Sequence, residues 1–155
     1  MVIQYTESDE KSLDLIKPLW LKLNELHKSL SRHNVAHFQG MTFERRKADL
    51  LKKSAGGALR IDLARDTETK ELIGFCVTTI NTDKQGEIES IYIEPDYRRG
   101  DIGDTLMKKA LKWLDGQEVT RKIVAVADGN EEVFAFYRRY HFYPRVTILE
   151  QTESD

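Results

Sequence analysis

Apolar residues along the chain switch between helical and strand spacing, and the switches divide it into elements. Val2 to Thr6 reads as a short strand. Across residues 9–32, Leu13, Ile16, Leu19/Trp20, Leu23, Leu26 and Leu30 recur at helical spacing. Pro18 interrupts that stripe, so the helix either kinks there or starts late. Residues 33–40 lose the pattern and are expected to be irregular, carrying His33, His37 and Phe38. Thr42 then precedes Phe43-Glu44-Arg45 as an N-cap, opening a second helix to about Lys53 that Gly56-Gly57 ends. Leu59 to Leu63 alternates, Asp66 to Lys70 is a polar turn, and Leu72 to Ile80 is an apolar β-rich run. A turn from Asn81 to Gly86 leads to the next strand, Glu87 to Ile93. Ile102 to Asp115 is an amphipathic helix with Leu106, Ala110, Trp113 and Leu114 inward and Gly116 just past its end. Lys122 to Ala127 reads as a buried strand, Asn130 to Tyr140 as a helix, and Arg145 to Leu149 as a last strand. The order βααβββαβαβ predicts an α+β (mixed α/β) fold with one sheet, residues 1–155 forming a single domain. No internal repeat, linker or low-complexity segment is visible, and the final Glu-Ser-Asp is expected to fray.

One strand breaks its own period. Ile91 and Ile93 share parity, but Ile88 does not. A single extra residue near Glu89-Ser90 brings all three to one face, which is the effect of a β-bulge. Such a bulge splays the strand from its neighbour and frees backbone N–H and C=O groups. An extended ligand can then pair with them as a surrogate strand.

Composition narrows the function classes. It is ordinary for a soluble globular protein. No apolar run approaches the ~18–20 residues of a membrane span. The N-terminus lacks a basic start followed by an apolar core, so no signal peptide is expected and the setting is cytoplasmic. The net charge of −2 argues against general attraction to nucleic acid. The single cysteine, Cys76, excludes an intramolecular disulfide and a cysteine-based metal cluster, and its apolar surroundings place it in the core. Neither a Gly-x-x-x-x-Gly-Lys-Ser/Thr loop nor an Asp-Phe-Gly is present, which argues against a nucleotide-binding or kinase-like protein.

The stretch Glu94 to Asp104 carries the strongest chemical signal. It joins a strand to a helix N-terminus through a glycine-containing turn that holds Arg98 and Arg99. Unsatisfied N–H groups and the helix dipole favour an anion there, and the arginines add fixed positive charge. A phosphate-bearing cofactor is the ligand to expect.

Three segments resemble the GNAT superfamily of acyl-CoA N-acyltransferases. Ile91-Tyr92-Ile93-Glu94-Pro95-Asp96-Tyr97-Arg98 is similar to that family's strand-into-loop segment. Arg98 to Gly103 resembles its pyrophosphate loop. Asn130-x-x-Val133-x-x-Phe136-Tyr137-x-x-x-His141-Phe142 resembles its last helix. The resemblance is strong from Ile73 to Phe142 and implies a mostly antiparallel twisted sheet flanked by helices. It also implies an enzyme that moves an acetyl group from acetyl-CoA, its co-substrate, to a primary amine. The acceptor is a small molecule or a peptide or protein amino group, attacking directly in a ternary complex without a metal. Arg98, Arg99 and the amides of Gly100, Asp101, Ile102, Gly103 and Asp104 would hold the pyrophosphate. A backbone N–H among Ile91, Tyr92 and Ile93 would meet the oxyanion. Tyr137 is the implied general acid, with an ordinary pKa of ~10. Glu89 is the first candidate base and Glu87 the second. Asn130 either contacts the pantetheine arm, caps its helix, or does both.

Leu26 to Phe43 would shape the acceptor end, with His27, His33, His37, Phe38 and Phe43. Phe38 and Phe43 either line that site or join the core. The histidines lack a regular pairing on a helix face, so no metal is expected. Asp101 and His141 stand where the family usually has glycine; both residue types tolerate positive φ, so both backbones are expected to keep the family's shape. A carboxylate about 4 Å from a phosphate charge costs roughly 1 kcal/mol in water and ~4 kcal/mol at an effective dielectric of 20. Asp101 therefore faces solvent, pairs with Arg98 or Arg99, or weakens the site. The alternative function is a non-catalytic acyl-CoA-binding sensor or partner module. A homodimer is compatible with the family, although no interface stripe stands out.

Overall fold

The computed structural model describes residues 2–152, so the expected frayed end, Glu153 to Asp155, lies outside the described residues. The chain runs β1 (Ile3–Ser8), a 3-10 turn (Glu10–Ile16), α1 (Lys17–Leu30), α2 (Val35–Gly40), α3 (Phe43–Ser54), β2 (Ala58–Asp66), β3 (Leu72–Ile80) and β4 (Gln85–Ile93). After a short 3-10 turn at Pro95–Tyr97 come α4 (Ile102–Gly116), β5 (Arg121–Val124), a 3-10 turn (Glu131–Val133) and α5 (Phe134–Arg138). The strands lie in the order β1-β2-β3-β4-β5, antiparallel except for the parallel β4–β5 pair.

Pro18 sits in the first turn of α1. It removes no helical hydrogen bond there, so the late start, not a kink, resolves the interrupted stripe. Thr42 caps α3, its Oγ1 accepting from the Arg45 N–H at 3.1 Å. Residues expected to be irregular contain the short helix α2, held under α1 by the Asn24 side-chain amide, which donates to the Phe38 carbonyl at 2.9 Å.

Two apolar layers sandwich the sheet. Leu13, Leu23 and Leu50 from the N-terminal helices pack on Ile61, Phe75 and Val77. Phe43 meets Trp20 edge-on at 5.6 Å and is 3% exposed, so it belongs to this core. On the other face Leu106, Ala110 and Leu114 of α4 cover Ile73, Cys76 and Ile88.

The bulge lies where the broken parity puts it. Val77 pairs with Ser90 and Thr78 with Ile88, leaving Glu89 as the extra residue. Ile88, Ile91 and Ile93 consequently all join the α4 side, while Tyr92 joins the α1–α3 side.

The C-terminal third departs from expectation. The strand expected at Lys122 to Ala127 is the four-residue β5, exposed at Arg121 and Lys122, because β4 is its only neighbouring strand among the described residues. The helix expected from Asn130 to Tyr140 is a 3-10 turn followed by α5, closed when His141 turns left-handed at φ +68°. His141 thus takes the conformation expected of a glycine substitute. Asp101 does not: its φ is −100°, which any residue adopts. The last strand expected at Arg145 to Leu149 is not formed; the segment pairs with no strand among the described residues, and Val146, Ile148 and Leu149 are exposed.

Candidate active site

β4 and β5 pair only from Gln85↔Arg121 to Ile88↔Val124. Beyond the bulge, β4 keeps β3 on one side and has no strand on the other. The Glu94 N–H bonds the Ile73 carbonyl at 2.8 Å, which fixes the phase of the ladder. In an antiparallel pair the backbone groups of successive residues point alternately toward and away from the partner. Tyr92 and Ser90 therefore face β3, and Ile91 and Ile93 turn their N–H and C=O groups to the open side. Arg98 already uses one of these groups, its Nε donating to the Ile93 carbonyl at 2.7 Å while its guanidinium lies over the Tyr92 ring.

The open edge runs into the start of α4. The first helical N–H with a partner is that of Thr105, which donates to the Asp101 carbonyl at 2.9 Å. The N–H groups of Ile102, Gly103 and Asp104 bond no other described residue, and Asp101 supplies no side-chain cap. A Cβ on Gly103 would lie 3.1 Å from Ile93 Cδ1, so glycine lets α4 approach the end of β4 closely. Tyr97 pins the intervening turn, its hydroxyl donating to Asp66 at 2.7 Å. Arg99 and Asp101 are exposed, with no ion pair among the described residues. The Asp104 carboxylate accepts from the Tyr140 hydroxyl and pairs with Lys108 at 2.9 Å and Arg139 at 3.4 Å. Those contacts, Tyr140 first, hold its pKa below the usual carboxylate range. They tie α5 to α4 and offset a negative charge beside the helix N-terminus.

Tyr137 approaches from α5, 8% exposed, in the cluster that holds Cys76, Ile91 and Ile93. Burial pushes its hydroxyl well above the ordinary tyrosine value, and the adjacent Cys76 adds to this. It is therefore protonated throughout the neutral range, and it bonds no other described residue. Cys76 itself is fully buried, its thiol pushed up to about 12 by desolvation.

Glu89 points to the opposite face. Its side chain is 1% exposed and accepts from Thr79 Oγ1 at 2.6 Å, pairing also with Arg46 at 3.2 Å and Lys53 at 2.9 Å. Arg46 further donates to the Glu89 carbonyl at 3.1 Å, fastening α3 to the bulge. Glu87 shares Lys53 at 3.1 Å, and burial first, then the charge of Glu89, raises its carboxyl. Arg46, Lys53 and Thr79 were not singled out from the sequence. Arg46 and Lys53 are two helical turns apart, which puts them on one stripe of α3, but spacing does not reveal the strand that stripe meets.

His27 lies on the last turn of α1, its ring 5.6 Å from that of Phe38. Burial, then the positive charge of Arg46, lowers its pKa from 6.5. A base lowered on folding adds stability above its unfolded pKa, and that stability is lost as pH falls below it. The melting temperature should fall between pH 7 and pH 5.5. His27→Gln should flatten that slope; an unchanged slope assigns it to other groups. His33 and His37 are exposed.

A polar clasp joins the two ends of the cleft region. Asp128 accepts from the Arg32 N–H at 3.0 Å and from Arg32 Nη2 at 2.8 Å. The Arg32 guanidinium holds the Asp128 carboxyl down to about 2. Gly129 sits beside it at φ +90°. Asn130 follows, its side chain capping nothing. Two shallow surface grooves flank α3, and neither is lined by a residue of the open β4 edge or the α4 N-terminus. Among the described residues no group of His, Cys, Asp or Glu could hold a metal, and no helix is long and apolar enough to cross a membrane.

The acetyltransferase (GNAT) family matches residues 22–142. The mycothiol acetyltransferase of Streptomyces coelicolor is 31% identical over 86 residues, which is 54% of this chain and 28% of that relative's length. A GCN5-related N-acetyltransferase from Ralstonia eutropha superposes with a TM-score of 0.75 at 14% identity, covering 99% of this chain and 100% of that one. The PaiA N-acetyltransferase of Thermoplasma acidophilum, solved in complex with coenzyme A, gives 0.68 at 17% identity, covering 90% and 89%. At such identities the two structures speak to the fold.

Proposed function

The chain belongs to the acetyltransferase (GNAT) family, and on that premise we propose that it moves an acetyl group from acetyl-CoA to a primary amine, in the cytoplasm, residues 1–155 acting as one domain. The acceptor is a small molecule or a peptide or protein amino group. One observation carries the reading: the unpaired edge of β4 at Ile91 and Ile93 leads directly to an uncapped helix N-terminus at Ile102 to Asp104. An amide-bearing arm suits the first, and a pyrophosphate suits the second together with Arg98 and Arg99.

In this reading the amine and the thioester meet at the open edge, and catalysis is chiefly their positioning. The amine nitrogen bonds the acetyl carbon, the carbon–sulfur bond breaks, and Tyr137 gives its proton to the departing thiolate. A free N–H of Ile91 or Ile93 meets the carbonyl oxygen as charge develops on it. The proton lost by the ammonium goes to the Glu89–Glu87 pair. Thr79, Arg46 and Lys53 already occupy the Glu89 carboxylate, and burial raises the Glu87 carboxyl, so Glu87 is the better matched acceptor of the two.

Titration with acetyl-CoA by calorimetry, with coenzyme A and ATP as controls, tests the site. About micromolar binding selective for the CoA compounds is expected, followed by thiol release when an amine panel is added. Binding without turnover on any amine would favour the non-catalytic sensor. No binding would overturn the reading.

A further inference from the structure

Arg46 reaches from α3 to the open edge of β4. Its Nη2 donates to the Glu89 carbonyl at 3.1 Å, with the Glu89 carboxylate at 3.2 Å and Ser90 Oγ at 3.4 Å. Ser90 turns its N–H to β3, and no peptide bond among the described residues is cis. In a trans peptide the carbonyl points opposite to the N–H. The Glu89 carbonyl therefore faces away from β3, on the side where Ile91 and Ile93 are unpaired. β5 has already left that side, since its pairing ends at Ile88↔Val124. The guanidinium thus stands at the head of the gap, next along the edge from the Ile91 N–H.

All of these contacts fall on Nη2. Nε and Nη1 of Arg46 bond no other described residue. The side chain is 22% exposed, so these donors are within reach of a ligand and only partly screened by water.

The carboxylates around the edge already hold cations. Glu94 pairs with Lys22 at 2.9 Å, Asp128 and Glu131 share Arg32, and Glu87 and Glu89 share Lys53. An acceptor with a second ammonium finds no free carboxylate among these five, and Arg46 and Lys53 repel it. Glu89 balances one of those two cations. Glu87 is the carboxyl that burial raises. Once Glu87 takes a proton, the group of Arg46, Lys53 and Glu89 is left with a net positive charge, which an anion on the acceptor offsets.

We propose that the acceptor is a small amine that carries a carboxylate, and that Arg46 receives this carboxylate through Nη1 or Nε. The proposal rests on the acetyl-transfer reading and narrows its acceptor. A charge-assisted hydrogen bond from a guanidinium suits a carboxylate, and the guanidinium stays charged at every working pH.

Thiol release at saturating acetyl-CoA, measured on matched pairs of an amino acid and its primary amide, tests this. The amide keeps the amine and loses the negative charge. Its amine is the less basic of the two, so amine ionisation does not favour the acid. The parent protein should use the acid with a kcat/KM about tenfold to a hundredfold higher, and should use spermidine less well than either. Arg46→Lys keeps a cation for Glu89 but leaves no second nitrogen for the acceptor, so the acid-to-amide ratio should fall toward one. A merely loosened bulge would lower both rates alike and keep the ratio. Amides, amidated peptides or spermidine used as well as the acids would overturn the proposal and leave acetyl transfer standing. A ratio unmoved by Arg46→Lys would do the same. A protein that binds acetyl-CoA yet releases thiol with no amine would take down the transfer reading and this proposal together.

Discussion

Tyr137→Phe should lower turnover by about a hundredfold or more while leaving acetyl-CoA affinity and the melting temperature nearly unchanged. The side chain as a whole is 8% exposed and its hydroxyl bonds no other described residue, so removing the oxygen orphans no partner, and the ring stays to fill its place. On the proposed mechanism the loss therefore falls on proton delivery to the departing thiolate and not on packing. Burial keeps this hydroxyl protonated well above neutral pH, so the parent protein should show no alkaline loss of turnover from Tyr137 near neutrality. Steady-state kinetics beside a calorimetric titration separate the two effects. Turnover within threefold of the parent would take Tyr137 out of the reaction.

Gly129→Ala should cost about 3 kcal/mol of stability or more. Its φ of +90° excludes an unstrained side chain, and a Cβ would lie 1.9 Å from the Leu30 carbonyl oxygen. Both the obstacle and its neighbours are backbone, so no side chain can swing aside. The end of α1 must move off the loop that follows β5, and the Arg32–Asp128 clasp goes with it. A fall of about 6–12 °C in melting temperature corresponds to that energy at this size. Gly116→Ala is the control, since a Cβ there meets nothing within 4 Å. Equal melting temperatures for the two variants would refute the clash.

Local signals carried the reading furthest where they had a local cause. The Leu72–Ile80 strand, the Thr42 cap and the late start of α1 at Lys17-Pro18 depend on neighbours in sequence, and the structure reproduces them. The bulge was legible because three isoleucines record which face each residue takes. The helical turn after Asn34 was missed because six residues leave too short a period to detect. The cage around Glu89 joins residues as much as 43 positions apart, and no periodicity carries that information. The tail reads as a strand because its side chains suit one, but a strand exists only beside a partner, and the tail pairs with none among the described residues. The position of the open edge could be anticipated from Ile88, Ile91 and Ile93; the phase that singles out the N–H groups of Ile91 and Ile93 required the Glu94–Ile73 bond.

The extra residue at position 89 makes the sheet worse so that it can be opened. A chain lacking Glu89 would keep every pairing on either side, since Ile88 and Ser90 would simply become successive rungs opposite Thr78 and Val77. Its ladder would be continuous, and its α3 face would lose the carboxylate that Arg46 and Lys53 converge on. One in-frame codon deletion is thus the shortest mutational route from this cleft to an ordinary closed sheet. The same deletion would strip Arg46, Lys53 and Thr79 of their shared carboxylate, so the bulge and the anchor of α3 are kept or lost together.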